Sequence, residues 1–455
     1  MGIGALNSKI YKRGYTTPQM EAVWAERALV GRIFEVEATL AEVQARIGLV
    51  PEEAAAQIRE SARLSDDLIA DVESGKVGNP LVAVLDALRS RVPADSRGWV
   101  HYGATTQDVL DTARALQIKQ STSLLLEEID RLIARLERLA QDHAATLMVA
   151  RTNGQHALPT TLGTRFARWL AELRRSRERL IQMRPRTEII QFSGAAGTYA
   201  SLGENGPRVA HGLADSLGLT FEPVPWHAAA DVMTELACAT AIYGQTLAKI
   251  AEDLFDMQQT DTGEAHEVMD AHASGSSTMP QKLNPFSTMK MSVGARLAAG
   301  MAATLLTQPP ASYERDHRVS EVQRDLVPQI FVAVEGASAK LIGLLDRLHF
   351  EDDALRANVG KEGVLLMSEG IMMTLAPRLG QEGAHDLLQE FAREHRATGI
   401  ELADFLAARP AINDKIEGID IDAISRPEAY IGLSEGMSRQ ASEADQRSGE
   451  MNRPS

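Results

Sequence analysis

Apolar residues recur every three or four positions over very long stretches, and this periodicity restricts the chain to a fold built from long helices. Leu125, Ile129, Leu132, Leu136 and Leu139 mark one such stripe, with Glu, Arg and Asp between them. A second carries Leu236, Ile242, Leu247, Ile250, Leu254 and Met257, and a third Met289, Met291, Val293, Leu297, Met301 and Leu305. A fourth runs through Ile330, Val334, Leu341, Leu345 and Leu348. Alternating, strand-type patterns are scarce. Some of these segments are apolar on more than one face, and such a helix must be buried on more than one side. A monomer would leave large apolar patches wet, so the pattern predicts a helical bundle that continues into partner subunits.

Breaks in the periodicity suggest boundaries. Gly75-Lys76-Val77-Gly78-Asn79-Pro80 interrupts an N-terminal helical region, and Ser193-Gly194-Ala195-Ala196-Gly197 interrupts the central one. Near Phe350-Glu351-Asp352-Asp353 the long helices give way to shorter ones. From Gly436 the chain is polar with few large apolar residues, the composition of a mobile tail. A length of 455 residues exceeds what one core usually serves, so two or three domains are expected.

Composition removes several classes. A formal net charge of −15 argues against a nucleic-acid surface. The single cysteine, Cys238, lies in an apolar run, which predicts a buried thiol and no internal disulfide. The N-terminus lacks the apolar core of a signal peptide, and no apolar run approaches the ~18 residues of a membrane helix. A cytoplasmic protein without a membrane partner is the expectation. There is no HExxH, CxxC, P-loop or Gly-x-Ser-x-Gly, and Asp and His show no metal-ligand spacing.

Chemistry concentrates in four polar segments. The densest is Gly275-Ser276-Ser277-Thr278-Met279-Pro280-Gln281-Lys282-Leu283-Asn284-Pro285. Its Gly and Pro residues shape a loop, and its hydroxyls, cation and carboxamide could surround a small dicarboxylate. A Ser there acts as a base only where its alkoxide is stabilised, by Lys282, loop N–H groups or a helix N-terminus. The second segment is His101-Tyr102-Gly103-Ala104-Thr105-Thr106-Gln107-Asp108. Thr105, Thr106 and Asp108 suit helix caps, and the same geometry binds carboxylates. The third, Arg151-Thr152-Asn153-Gly154-Gln155-His156, breaks helical periodicity. It gathers donors around His156, whose imidazole can give or take a proton near neutrality. The fourth carries Arg315 and Arg324, either a solvated helix face stitched by i,i+4 pairs or a clamp for an anion.

The loop around Ser276 resembles the GSSxMPxKxNP signature of the fumarase/aspartase superfamily. The segments at Thr105 and Thr152 resemble its other two signature regions. The likeness extends over nearly the whole chain, from Tyr15-Thr16-Thr17-Pro18-Gln19-Met20 onward. It is nearest to two branches, 3-carboxy-cis,cis-muconate cycloisomerase and adenylosuccinate lyase. Gln191-Phe192, Pro225-Trp226-His227 and Gly78-Asn79-Pro80 resemble the first branch. Glu314-Arg315-Asp316, Ser320 and Arg324 fit the second.

The resemblance implies an all-α, three-domain fold. We divide it into residues 1–106, 107–352 (the central long-helix bundle) and 353–455. It also implies a homotetramer whose active sites are shared between subunits, a small dicarboxylate substrate, and no metal or organic cofactor. The family's reaction is β-elimination or addition on a succinyl unit, commonly releasing fumarate. By the same resemblance Ser276 is the base, with Ser277 beside it. Lys282, Asn284, Thr105 and Thr106 bind carboxylates, and Thr152, Gln155, Arg315 and Arg324 contact substrate. Many members carry His where this chain has Asn153, which leaves His156 as the candidate proton donor. Leu283 also stands where an Arg is common.

Overall fold

The computed structural model describes residues 4, 6, 8, 10–74, 80–268, 276, 278, 279 and 281–451, with the side chains of residues 13, 80 and 444–451 left aside. Helices dominate. The elements that matter below are α1 (Glu26–Arg46), α2 (Thr106–Asp142), α3 (Leu162–Thr187), α4 (Asp231–Met257), α5 (Phe286–Thr307), α6 (His317–Leu345), α7 (Asp352–Gly360) and α8 (Ser434–Met451). Strands are confined to two antiparallel pairs, β1 (Leu147–Thr152) with β2 (Gln155–Thr161), and β3 (Ala265–Glu267) with β4 (Leu348–Phe350). The all-α expectation holds. Three of the four sequence stripes fall wholly within α2, α4 and α5. The fourth ends earlier than its spacing suggested, because α6 stops at Leu345 and Leu348 enters β4.

The described residues gather into two compact units. Unit one comprises Met1–Asp130, Arg175–Ala251 and Ser287–Ile342; unit two comprises Arg131–Arg174, Glu252–Phe286 and Gly343–Ser455. In unit one, Ile33, Phe34 and Leu40 of α1 pack with Val109, Ala113 and Leu116 of α2 and with Val209 and Leu213. Small residues allow the closest crossing there: a Cβ on Gly336 of α6 would lie 2.0 Å from the Tyr15 carbonyl oxygen. Next to it, the Thr17 hydroxyl donates to Glu335, which is buried. Alone among the described residues, α6 is long and apolar enough to cross a membrane, yet 56% of its apolar window is buried in the molecule. That burial is the mark of a core helix.

In unit two, Leu147 and Val149 of β1 pack with Val359 of α7 and with Leu366. A second core joins Met367, Ile371, Phe391 and Phe405. Helix α8 starts the polar C-terminal segment and is anchored through Thr164, whose hydroxyl donates to the Ser434 carbonyl at 3.0 Å. The indole of the fully buried Trp169 donates to Asp253 at 2.7 Å.

Candidate active site

Thr105 immediately precedes α2, so Thr106, Gln107 and Asp108 form the first helical turn. An oxygen of the Asp108 carboxylate accepts the Thr105 N–H at 3.0 Å, as the third helical residue does in a capping box. The cap therefore belongs to Asp108, and the Thr105 hydroxyl serves elsewhere. It accepts a hydrogen bond from Arg315 Nη1 at 3.1 Å. Nη2 of the same guanidinium donates to the Ala195 carbonyl at 2.8 Å and, more weakly, to that of Gly194 at 3.4 Å. Its Nε is buried and has no partner among the described residues. All these acceptors are neutral, so the Arg315 charge is oriented without being cancelled. Two segments some 210 residues apart are thus joined in unit one, the distance that sequence reasoning bridged only through the family likeness.

Arg324 behaves differently. It pairs with Glu321, one helical turn away. Arg324 thus makes a local ion pair on its own helix, while Arg315 bonds the distant Thr105 hydroxyl and Ala195 carbonyl.

The segment from Arg151 to His156 is a β-hairpin, which sequence reasoning treated only as a break in helix. Asn153 and Gly154 take φ of +53° and +77°, the paired left-handed residues of a two-residue hairpin turn. Asn-Gly between alternating residues was the local signal for it. The register pairs Arg151 with His156 and Thr152 with Gln155. Successive strand residues point to opposite faces. The hairpin therefore separates the expected donors: Thr152 and Gln155 share one face and are exposed, while Arg151 and His156 share the other.

The Arg151 and His156 face opens on a cleft of about 480 Å³ in unit two, also lined by Arg165, Asp253, Asp256, Asp261 and Lys361. Arg151 holds the fully buried Glu264 at 3.0 and 2.6 Å, and Asn358 donates to the same carboxylate at 2.8 Å. Partial burial, helped by the Arg151 charge, holds the His156 imidazole below its ordinary pKa. That environment favours the neutral ring, and its Nδ1 is buried without a partner among the described residues. Glu264 and Asp253 carried no motif and were missed from the sequence.

Ser276 is half-buried in unit two. Its Oγ accepts the Met279 N–H at 3.1 Å and, weakly, the Thr278 N–H at 3.4 Å. Such donors stabilise negative charge on that oxygen. Lys282 is exposed, and Asn284 is half-buried just ahead of α5. Ser277, with residues 269–275 and 280, lies outside the described residues.

Residues 12–300 match the family described as Lyase, and residues 365–441 match the adenylosuccinate lyase C-terminus. The chain is 34% identical over 430 residues to the 3-carboxy-cis,cis-muconate cycloisomerase of Pseudomonas aeruginosa, covering 93% of this chain and 94% of the relative. It is 32% identical over 423 residues to the adenylosuccinate lyase of Pyrococcus horikoshii, covering 92% and 93%. The solved structure of the 3-carboxy-cis,cis-muconate lactonizing enzyme from Pseudomonas putida matches with a TM-score of 0.87 and 30% identity, over 97% of this chain and 99% of that one. The chain belongs to the fumarate lyase superfamily, whose members here are lyases and cycloisomerases. The resemblance read from the Ser276 loop is borne out at the level of family and fold.

Proposed function

We propose that the protein catalyses reversible β-elimination and addition on a succinyl-like dicarboxylate, with lactonisation of 3-carboxy-cis,cis-muconate as the nearest activity. The observation that carries this reading is the Arg315 guanidinium, oriented on the Thr105 hydroxyl by neutral acceptors alone. A cation and a hydroxyl so arranged suit a substrate carboxylate. The 34% identity to a cycloisomerase supports the choice of substrate.

In the elimination direction, Ser276 removes the proton beside a carboxylate. The resulting dianion is the costly species, and each well-aimed donor is worth about 3–4 kcal/mol toward it. Thr105, Thr106, Lys282 and Asn284 hold the carboxylates. His156 exchanges the proton of the departing oxygen or nitrogen, and Thr152 and Gln155 contact substrate from the far face of the hairpin. Arg324 contacts substrate through the N–H groups that Glu321 leaves open. Ser277 would lie beside the base. No metal or organic cofactor enters these steps.

The clusters at Thr105, His156 and Ser276 combine in a homotetramer whose sites draw on several subunits. Consistent with that assembly, Met289, Val293 and Leu297, spaced by four on α5, are 42–43% exposed in the single chain. The three-domain division at residues 106 and 352, and a cytoplasmic location, belong to the same proposal. A second reading, an adenylosuccinate-type C–N lyase releasing fumarate, is favoured by the C-terminal family match.

Ser276→Ala decides the base. On a panel of 3-carboxymuconate, adenylosuccinate and N-substituted aspartates, turnover is expected to fall about 10²–10⁴-fold with assembly unchanged. Full activity in that variant refutes the assignment. The substrate that responds separates the two readings.

A further inference from the structure

Asp108 lies behind Thr105, and its side chain is 0% exposed. Its two oxygens collect four donors from three separate stretches of chain. Oδ2 accepts the N–H of Thr105 at 3.0 Å and of Gly194 at 2.9 Å. Oδ1 accepts the N–H of Ser193 at 3.0 Å and lies 2.9 Å from His227 Nε2. His227 is itself 3% exposed and is fixed from two sides. Gln107 donates to its carbonyl at 3.0 Å, and its Nδ1 lies 3.5 Å from Ser193 Oγ. With Nε2 donating to Asp108, Nδ1 is the ring nitrogen that faces that hydroxyl.

These contacts fix more than a helix end. The backbone that Asp108 grips at Ser193 and Gly194 carries the carbonyls of Gly194 and Ala195 that hold Arg315. The backbone it grips at Thr105 carries the hydroxyl on the same guanidinium. Gly194 has φ +82°, a conformation the loop needs in order to present its N–H inward and its carbonyl outward. One buried carboxylate thus ties together both walls of the Arg315 seat, and among the described residues no other side chain accepts the N–H groups of Thr105 and of Ser193 and Gly194 together.

We propose that Asp108, braced by His227, is the positioning residue of the anion site: it sets the spacing between the Thr105 hydroxyl and the 194–195 carbonyls and so aims Arg315. It touches no substrate itself. The assignment rests on the reading of Thr105 and Arg315 as carboxylate ligands.

Asp108→Asn tests it, because the amide keeps the shape and replaces one acceptor oxygen with a group that cannot accept an N–H. The probe is fumarate, titrated calorimetrically into the full-length assembled protein, together with steady-state kinetics on the responding substrate. Fumarate binding is expected to weaken about tenfold or more, and KM to rise more than kcat falls, since misplacement of a binding group is the defect. A purely structural role would lower stability and leave KM of the folded enzyme unchanged. A crystal structure of the variant gives a reading independent of ligand, with Arg315 expected to leave Thr105 Oγ1 and the Ala195 carbonyl. If the Asn variant does not fold, His227→Ala removes one of the four donors and is expected to raise KM in the same direction by a smaller factor. Either folded variant with wild-type fumarate affinity, and with Arg315 still on Thr105, overturns the proposal. An Arg315→Gln variant that binds fumarate as well as wild type, while Asp108→Asn displaces Arg315, upholds the positioning and overturns the carboxylate reading instead.

Discussion

Arg151 grips Glu264 with both ends of its guanidinium, Nη1 to Oε2 at 3.0 Å and Nη2 to Oε1 at 2.6 Å, and the carboxylate is fully buried. The two residues lie 113 positions apart, so this pair fixes the β1–β2 hairpin to the strand that leads toward Ser276. Removing one member of a buried pair costs roughly 3–5 kcal/mol, because the other is left uncompensated. The Arg151 side chain is 23% exposed, and water reaching it moderates the loss. Glu264→Ala should therefore lower the unfolding free energy by about 3 kcal/mol in urea titration. A change below about 1 kcal/mol would show that the pair is not what holds the hairpin.

His156 gives a pH dependence whose sign follows from its environment. Burial, then the Arg151 charge, holds its folded pKa below the unfolded value of 6.5. Above 6.5 the ring is neutral in both states and contributes nothing. As pH falls below 6.5 the unfolded chain takes up the proton first, so stability declines until the folded-state pKa is passed. The decline should be shallower in His156→Gln, and the His156 ring proton should titrate below the ordinary histidine range by NMR. Equal slopes for the two proteins would remove His156 as the source.

Gly154 tests the hairpin turn in isolation. A Cβ there would meet nothing within 4 Å, so any cost of Gly154→Ala comes from its φ of +77°. That cost is about 1 kcal/mol or slightly more. Denaturant titration should find it, with little change in the circular dichroism of the helices. A neutral result would mean that the turn relaxes to another conformation.

The α5 face tests assembly. Met289, Val293 and Leu297 form one exposed apolar row. Val293→Glu should convert a tetramer to smaller species by light scattering and abolish turnover, because the sites are proposed to be shared. A monomeric wild type, or a glutamate variant that stays tetrameric, contradicts this use of the row.

Much of the architecture was legible because helix burial repeats every 3.6 residues, and the stripes from Leu125, Leu236 and Met289 therefore announced α2, α4 and α5. The Ser276 loop was legible as a string. The hairpin was passed over because the segment was read only as a donor-rich break in helical periodicity, although Asn153-Gly154 is a turn signal that needs no tertiary context. Arg315 and Arg324 looked alike as sequence, since both are arginines in one charged run. They part only in the fold, where Thr105 lies within reach of one and Glu321 of the other.

Local covalent pattern by itself set the long helices, their apolar stripes, the loop bearing Ser276 and Lys282, and membership in the lyase family. Spacing along a chain fixes which residues share a helix face, and that is a short-range property. Only the folded chain decided that Asp108 would spend its charge on the distant 193–194 backbone and the His227 ring as well as on Thr105, that His156 would turn its back on Gln155, and that Glu264 would answer Arg151. Those pairings depend on which segments meet in three dimensions, and on the need of every buried charge to find a partner there.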